Sequence, residues 1–459
     1  MASQYLTCKF KLHNPSARKR TVLMHTFEQY TLAYGDLLSW AQENEELLRE
    51  NGTFRNKYDA RTIAALLPKP TAELHSSMIG SLMGDVAMTL ASYLELEGSF
   101  PVARTFLDYE IDNALDYFVQ TGIEDFEDAK SFLLRRAHVD YMPLSFSRAD
   151  GVTNNRNFSL VIDPERQRLF AVLWLLPAKH KLCQPLDAKD GNLVRIDTHE
   201  PLRSNSQTAI LVPVEVGSNG WQKYKFLDPA YEGNVKVKTA KLMLQDGDFY
   251  LVVSFEFPVA EKYKPETYLG IDKGILFTAA YALVDKQGAV VELGHFEDQL
   301  RELQIKHGQE REVKARNGKL VTRRDYKTKS YDNILHCIAN TLIEKALSSK
   351  AMIVLEDLNI QVKGSRIVSR FRKLDNILQY KGNLAGVPVR SVFPARSSII
   401  CHKCGGDMER DDRLVVCTEC GHQDHSDDNA AVNIARRAMY KKADWKGGYR
   451  EFHRSFAIL

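Results

Sequence analysis

The sequence predicts a multidomain α+β protein, on three observations. Its 459 residues allow about three folding units at roughly 150 residues each, and 44% are hydrophobic, enough to give each unit a core. The apolar periodicity changes character twice along the chain, from strand-like to helical and back to strand-like. Four of the seven cysteines fall within residues 401–420, and in a chain without an export signal that clustering favours a metal over disulfides.

Taken in order, Tyr5 to Leu12 (YLTCKFKL) reads as an amphipathic strand with Leu6, Cys8, Phe10 and Leu12 on one face. From about Thr26 to Arg136, segments such as LLSWAQENEELLRE, SSMIGSLMGDVAMTLASYLELE and DYEIDNALDYFVQ place apolar residues three and four apart. This is a helical insertion, broken at Gly52, at Pro68 and Pro70, and at Gly98 and Pro101. NFSLVID, RLFAVLWLLP, AILVPVEV, VKVKTAKLMLQDG and FYLVVSFEFPV are short, rich in β-branched and aromatic residues, and separated by turn signals such as Asp246-Gly247. They predict a small antiparallel β-barrel. The first strand has no partner nearby in sequence and is expected to join this barrel, leaving the helical block as an insertion within it.

After Pro265 the order changes again. YLGID is an apolar strand ending on an acid; ILFTAAYALVD and GAVVELG are two more strands joined by a turn at Lys286-Gln287-Gly288. A polar, basic stretch from about Phe296 becomes helical through SYDNILHCIANTLIEKALSSK, and AMIVLEDLNI is a strand that again ends on acids. The order β, β, β, α, β is the opening of an RNase H-like α/β core. Internal repeats and compositionally biased tails are absent from the sequence.

The formal charge is +3, from 62 Lys and Arg against 59 Asp and Glu, and taken whole it names no polyanionic partner. By segment the balance separates. Residues 91–130 carry ten acids and two bases, 301–330 ten bases and four acids, and 361–390 seven bases and one acid. The two basic windows, each net +6, predict a nucleic-acid surface on the later part of the chain. The longest strictly apolar run is Leu169 to Leu176, and MASQYLTCKFKLHN lacks the apolar stretch of a secretory signal, so a cytoplasmic chain without a membrane span is expected.

Cys401-x2-Cys404 and Cys417-x2-Cys420 form two knuckles, each followed by a glycine, Gly405 and Gly421. Each knuckle turns two thiolates toward one ion at about 2.3 Å, and together they close a tetrahedron around a structural Zn²⁺ with no position left for a reactive water. His402 and His422 lie in or beside the knuckles as possible substitutes. Asp272 ends an apolar strand and Glu356 ends another. Asp427 and Asp428 fall at the start of a helix striped by Ala430, Ala431, Ile434 and Ala435. Singly, each acid reads as a turn residue or a helix N-cap. Together, two strand-end acids and one helix-start acid converge on one point, where three carboxylates can hold two divalent ions about 3.5–4 Å apart. Mg²⁺ is expected, because it prefers oxygen ligands.

LGIDKG, IVLEDL and CHKCGG…CTECGHQDHSDDNAAVNIA resemble the three RuvC motifs and the zinc ribbon of the TnpB-like transposon-encoded RNA-guided nucleases and of the compact type V CRISPR effectors. The resemblance covers roughly the last 190 residues by motif and the remainder by layout. It implies a first strand of a wedge β-barrel at 1–25, a helical recognition insert at 26–140 and the rest of the wedge at 141–264. The RuvC nuclease core would span 265–396 and 424–459, with a zinc ribbon at 397–423. It assigns the catalytic, magnesium-binding acids to Asp272, Glu356 and Asp427, with Asn429 fixing the register that prefers Asp427 over Asp428. It departs from the family pattern at Lys273, where an aliphatic residue is usual and a cation would stand beside the metals, and at Ala395-Arg396-Ser397-Ser398, where an aromatic-Thr-Ser is usual.

The implied function is an RNA-guided DNA endonuclease, from a transposon or a CRISPR antiviral-defence locus, cleaving double-stranded DNA beside a short flanking motif. Its partners would be a guide RNA and the target, with one or two copies of the chain per RNA and the protein associated with a prokaryotic nucleoid. Lys314, Arg316, Arg323, Arg324, Lys327 and Lys329 are expected to line RNA or heteroduplex, and Lys363, Arg366, Arg370, Arg372 and Lys373 to feed the substrate strand past Glu356. The runner-up is an RNA-guided DNA binder that silences targets with little cleavage, favoured by Lys273. A third reading, a resolvase or strand-transfer enzyme without RNA, leaves the large non-nuclease half unexplained.

Overall fold

In strand β1 (Ser3–Leu12), Cys8, Phe10 and Leu12 are buried while the residues between them face outward, so polar–apolar alternation in the sequence becomes one covered face of a sheet. The computed structural model describes residues 3–96, 99–101, 141–146, 157–165, 168–177, 180–182, 193–202, 209–217, 220, 222–245, 247–274, 278–296, 328–357, 366–393, 396–411 and 414–440, with isolated residues between 305 and 317 and between 452 and 455. The chain divides into two units, 5–257 and 258–459, the latter joined by residues 1–4. Among the described residues no helix is long and apolar enough to cross a membrane.

In the first unit, β1 is followed by helices α1 (Ala17–Glu43) and α2 (Glu45–Asn51), a hairpin of β2 (Thr53–Phe54) and β3 (Lys57–Tyr58), and helices α3 (Ala60–Leu66) and α4 (Ser76–Leu96). The first helix begins inside the 1–25 segment assigned to strand, because Ser16 caps it by accepting from the Lys19 backbone N–H. Met78, Leu82, Val86, Leu90 and Leu94 of α4 recur every four residues and are buried. Tyr30 and Tyr34 of α1 reach across to Asp85 and Thr89 of α4, at 3.1 and 2.9 Å. The expected helix DYEIDNALDYFVQ lies outside the described residues.

The remaining strands of this unit are β4 (Leu144–Phe146), β5 (Phe158–Asp163), β6 (Arg168–Trp174), β7 (Val194–Arg195), β8 (Ala209–Glu215), β9 (Lys236–Gln245) and β10 (Asp248–Pro258). A short helix, α5 (Asp228–Tyr231), follows β8. They form one sheet in the order β4-β9-β10-β1-β8-β6-β5-β7, in which β1 runs antiparallel to β8. The N-terminal strand therefore pairs with partners some two hundred residues on, with Lys11 opposite Glu215. Closure into a barrel is not seen among the described strands, of which β4 and β7 stand at the edges.

The second unit holds β11 (Thr267–Asp272), β12 (Ala279–Val284), β13 (Val290–Phe296), helix α6 (Thr328–Ser348), β14 (Ala351–Glu356), helix α7 (Arg366–Ala385), β15 (Val389–Val392), three short strands, β16 (Met408–Asp411), β17 (Leu414–Cys417) and β18 (Gln423–His425), and helix α8 (Ser426–Arg437). The five-stranded sheet runs β13-β12-β11-β14-β15; β11 pairs antiparallel with β12 and parallel with β14, and β14 pairs parallel with β15. Leu269, Ile271, Ile353 and Leu355 bury one face against α6 and α7. On the other face, Ala280, Ala282 and Val354 meet Ala431, Ile434 and Ala435 of α8. Both faces of the central strands are thus covered, which explains why YLGI and MIVL read as nearly continuous apolar runs.

Gly270 shows how closely α8 lies on the sheet. A Cβ at this position would stand 2.2 Å from the Ala431 carbonyl oxygen and 2.4 Å from the Ala435 nitrogen. Small residues on the helix and no side chain on the strand permit that approach, and it fixes where the N-terminus of α8 falls.

Candidate active site and metal centre

Strand alternation decides where the two strand-end acids point. In β11, Leu269 and Ile271 face α6 and α7 while Gly270 faces α8, so Asp272 continues on the α8 side. In β14, Ile353 and Leu355 face the same helical layer while Val354 faces α8, so Glu356 also lies on the α8 side. The parallel register sets Ile271 opposite Leu355, and the two acids emerge together at the carboxyl ends of neighbouring strands. That end of a parallel pair is where open α/β sheets bind ligands.

Helix α8 brings the third acid to the same face. His425 caps the helix by accepting from the Asp427 N–H at 3.3 Å, so Asp427 and Asp428 lie inside the first turn and neither serves as the N-cap. Asp427 Oδ1 accepts from the Ser426 hydroxyl at 2.9 Å, and Asp428 pairs with His295 at 2.8 Å. The two aspartates are thereby distinguished: Asp428 is engaged with β13, while Asp427 acts electrostatically on Asp272.

The electrostatics are those of a buried, crowded anionic cluster, only partly offset by neighbouring cations. Burial, then Glu356, then Asp427 hold the Asp272 carboxyl well above the usual carboxylate range. The residue keeps some exposed surface, but its acid end is desolvated. Burial also raises Glu356, against the pull of the Ser397 hydroxyl, which donates to its Oε1 at 2.5 Å, and of the nearby Arg437 and Lys273. Three oxygen acids gathered this way suit a hard divalent cation, since such an ion favours the deprotonated forms that burial and crowding disfavour.

Lys273, expected to stand as a cation beside the acids, is directed elsewhere. One residue past Asp272, it points to the other face of the strand, where its fully covered ammonium contacts both carboxylate oxygens of Asp375 on α7 at 2.7 Å. Asp375 is the one acid of the basic 361–390 window, so it was visible in the sequence as an exception whose partner only the fold supplies. Ser397 and the fully buried Arg437, whose guanidinium donates to the Phe393 carbonyl at 2.6 Å, were likewise not anticipated. A polar residue beside a cysteine knuckle, or an arginine at a helix end, carries no distinguishing local pattern.

The four cysteines converge as their spacing predicts. Their sulfurs lie within 4.8 Å of one another, with Cys401 and Cys420 at 3.8 Å and Cys404 and Cys417 at 3.3 Å. Sulfurs about 2.3 Å from a tetrahedral zinc would stand roughly 3.8 Å apart, so small adjustments admit the ion. Each knuckle closes by matched backbone bonds: Gly405 N–H to Cys401 O at 2.9 Å and Gly421 N–H to Cys417 O at 3.0 Å. Both glycines hold positive φ, +76° and +69°, which a side chain resists. Burial pushes the Cys401 thiol up to about 11, whereas at Cys417 burial is outweighed by the backbone N–H groups of Cys420 and Glu419 together with the Cys404 and Cys420 thiols, which bring it to about 7.

His402 and His422 do not join the thiolates. They converge on Asp424 Oδ2 at 3.3 and 3.4 Å, and burial holds His402 down at about 4. In the first unit, His25 and His180 meet Glu73 Oε2 at 3.1 and 3.2 Å. There His180 Nδ1 accepts from the Leu182 N–H at 3.2 Å, which leaves the ring proton on Nε2 as a donor to Glu73. That cluster is a hydrogen-bonded acid between two histidines.

Asn429 and Asn433 tie the ribbon to α8. Fully buried, Asn429 accepts from the His402 N–H at 2.9 Å and donates to the Ile400 carbonyl at 2.9 Å; Asn433 donates to Ser397 and Ile400 carbonyls at 2.8 and 2.7 Å.

The basic residues assigned to nucleic acid are only partly brought into view. Arg372 is exposed, and Arg316 is exposed within 3.9 Å of Glu312. Lys373 is held by Asp332 of α6 at 2.5 Å, so an intramolecular partner occupies it where a free cation was expected. Lys314, Arg323, Arg324, Lys327 and Lys363 lie outside the described residues, as do the side chains of Lys329, Arg366 and Arg370.

Residues 371–434, from α7 through the four cysteines to Ile434, match the family model for the Cas12f1-like TNB domain. The chain is 26% identical over 220 residues to the CRISPR-associated endodeoxyribonuclease Cas12f2 of Micrarchaeota archaeon, covering 42% of this chain and 40% of that protein. It is 30% identical over 135 residues to the TnpB-like protein MJ0751 of Methanocaldococcus jannaschii, covering 27% and 47%. It is 25% identical over 239 residues to the CRISPR-associated endodeoxyribonuclease Cas12f1 of Sulfoacidibacillus thermotolerans, covering 46% and 55%. The matches thus span about half the length of these curated relatives.

Proposed function

Because this chain is a relative of the TnpB-like proteins and the compact type V CRISPR effectors, we propose that it is an RNA-guided DNA endonuclease with its catalytic acids at Asp272, Glu356 and Asp427. The observation that carries the reading is the convergence of three acids on one face of a mixed sheet, two at the ends of neighbouring parallel strands and one in the first turn of the helix packed over them. In this reading the five-stranded sheet with α6, α7 and α8 is the RuvC core and 397–423 its zinc ribbon. The eight-stranded sheet is the wedge, and the helices after β1 belong to the recognition insert.

Two magnesium ions held by the three carboxylates would supply an activated water and a charge opposite the leaving oxygen of the phosphodiester. The protein's own groups prepare that site. The pairing of β11 with β14 sets Asp272 and Glu356 side by side, the Ser397 hydroxyl and Arg437 hold Glu356 toward its charged form, and Gly270 lets α8 deliver Asp427. Cys401, Cys404, Cys417 and Cys420 would hold a tetrahedral zinc with no open position, so the ion would hold the ribbon together and supply no chemical step. A guide RNA would read the target by base pairing, with Arg316 and Arg372, which are exposed, and the other basic residues of 314–329 and 363–372 holding phosphate. Silencing without cleavage rested on Lys273 as a cation among the acids, and its pairing with Asp375 favours the cleaving reading.

The test is to express the full chain with its native flanking locus, sequence the RNA that co-purifies, and assay matched target DNA with Mg²⁺. The expected result is guided cleavage by wild type and none by Asp272→Ala. Absence of bound RNA, or equal cleavage by the two proteins, overturns the proposal.

A further inference from the structure

The acid site has a fourth carboxylate near it that does not face it. Asp375 sits on α7, on the opposite side of the sheet from α8, and both of its oxygens lie 2.7 Å from the Lys273 ammonium. The lysine side chain is wholly covered and that of Asp375 is 23% exposed, so the pair is screened far less than a surface bridge. The helix carrying Asp375 is fixed by Leu374, Ile377 and Leu378, which enter the core beneath β11 and β14.

We infer that Asp375 is a positioning residue that holds the Lys273 ammonium off the acid cluster, so that the oxygens of Asp272, Glu356 and Asp427 stay open to divalent ions. The inference rests on the reading of those three acids as a metal site. Lys273 adjoins Asp272 in sequence, and its charge is felt by both Asp272 and Glu356. Without Asp375 the ammonium would be left with Asp357, whose charge also acts on Asp375, and with the acids of the cluster, and at those acids it would compete with the incoming cation. Asp375 thus permits a lysine next to the first catalytic acid without loss of the ion.

The test measures Mn²⁺ binding to the full-length, zinc-loaded chain by electron paramagnetic resonance and calorimetry, without nucleic acid. Asp375→Asn is expected to weaken Mn²⁺ binding about tenfold or more, the order for one uncompensated charge near the site. Lys273→Met combined with Asp375→Asn should restore it to about the wild-type level, and Lys273→Met alone should bind at least as tightly as wild type. Unchanged binding by Asp375→Asn overturns the inference, as does a double variant no better than Asp375→Asn. If Asp375→Asn does not fold, weaker binding by Lys273→Met alone is the overturning result. Wild type that binds no more Mn²⁺ than Asp272→Asn overturns the metal-site reading itself, and this role with it.

Discussion

The two clusters in the second unit are built in opposite ways. The four thiolates come from two short knuckles within twenty residues, and each knuckle is shaped by its own backbone bonds and a glycine at positive φ. The acids come from β11, β14 and α8, spread from 272 to 427, and only sheet register and helix packing bring them together. Soft ligands converge locally; hard ligands converge through the whole fold. The thiolate cluster should therefore fail as a unit when its ion is removed, whereas the acid cluster should fail when packing is disturbed.

The largest expected effect tests the first half. Stripping zinc with a chelator, or Cys401→Ser, should unfold residues 396–425, since structural zinc contributes on the order of 10 kcal/mol to small ribbons. Hydrogen exchange should rise across the ribbon while the amides of β11 and β14 stay protected. A ribbon that remains protected without metal would show that Asn429, Asn433 and the short strands suffice to hold it.

Gly270→Val tests the second half. The added side chain would enter space held by the Ala431 carbonyl and Ala435, so α8 must lift, at about 1–3 kcal/mol for overpacking and more if the backbone cannot yield. Zinc content should stay at one per chain while divalent-ion binding at the acids is lost. Loss of both would show that the two clusters share one cooperative structure.

These differences also explain what could be read from sequence. The cysteine site was legible because its information is local: spacing, glycines and redox context. The positions of Asp272 and Glu356 at strand ends were legible because an acid ending a buried apolar strand is conspicuous, whereas the residues alone left Asp427 and Asp428 open and the preference for Asp427 came from the family pattern around Asn429. The physical role of Asn429, donating to and accepting from the ribbon backbone, needed the fold. Lys273 was read as an intruding cation because its partner lies 102 residues away on the far face of the sheet. The start of α1 was placed too late because its cap, Ser16, precedes a run of basic residues that interrupts the apolar pattern. That β1 joins this sheet followed from its orphan status, but its pairing with β8 and β10 did not.

The acid cluster should also show itself in pH dependence. Asp272 and Glu356 are both raised above their ordinary values, chiefly by burial. The folded chain therefore binds more protons than the unfolded one between the ordinary carboxylate range near pH 4 and the raised values. In that window the metal-free protein should lose stability as pH rises, by about 1.4 kcal/mol per unit for each such group. Asp272→Asn should flatten the slope, and added Mg²⁺ should stabilise wild type most at the upper end, where the acids have shed their protons. Thermal unfolding between pH 4 and 8, with and without Mg²⁺, measures both; a slope that is flat in wild type would break the picture of acids raised by burial and crowding.

The smallest effect falls where the two clusters meet. Ser397 precedes the first knuckle, is held by Asn433 through its carbonyl, and donates its hydroxyl to Glu356. Removing that bond leaves Glu356 with one fewer donor for its charged form, so its proton should be held to higher pH. At about 1.5–3 kcal/mol for a bond to a charged acceptor, the shift is on the order of one pH unit. Ser397→Ala should therefore move the rising limb of Mg²⁺-dependent cleavage to higher pH with zinc content unchanged. Because the ribbon carries the segment that positions Ser397, Cys401→Ser should reproduce this shift on top of its own loss of zinc. If Ser397→Ala leaves the pH profile in place, Glu356 is set by burial and its charged neighbours, and the ribbon does not reach the acids through this bond.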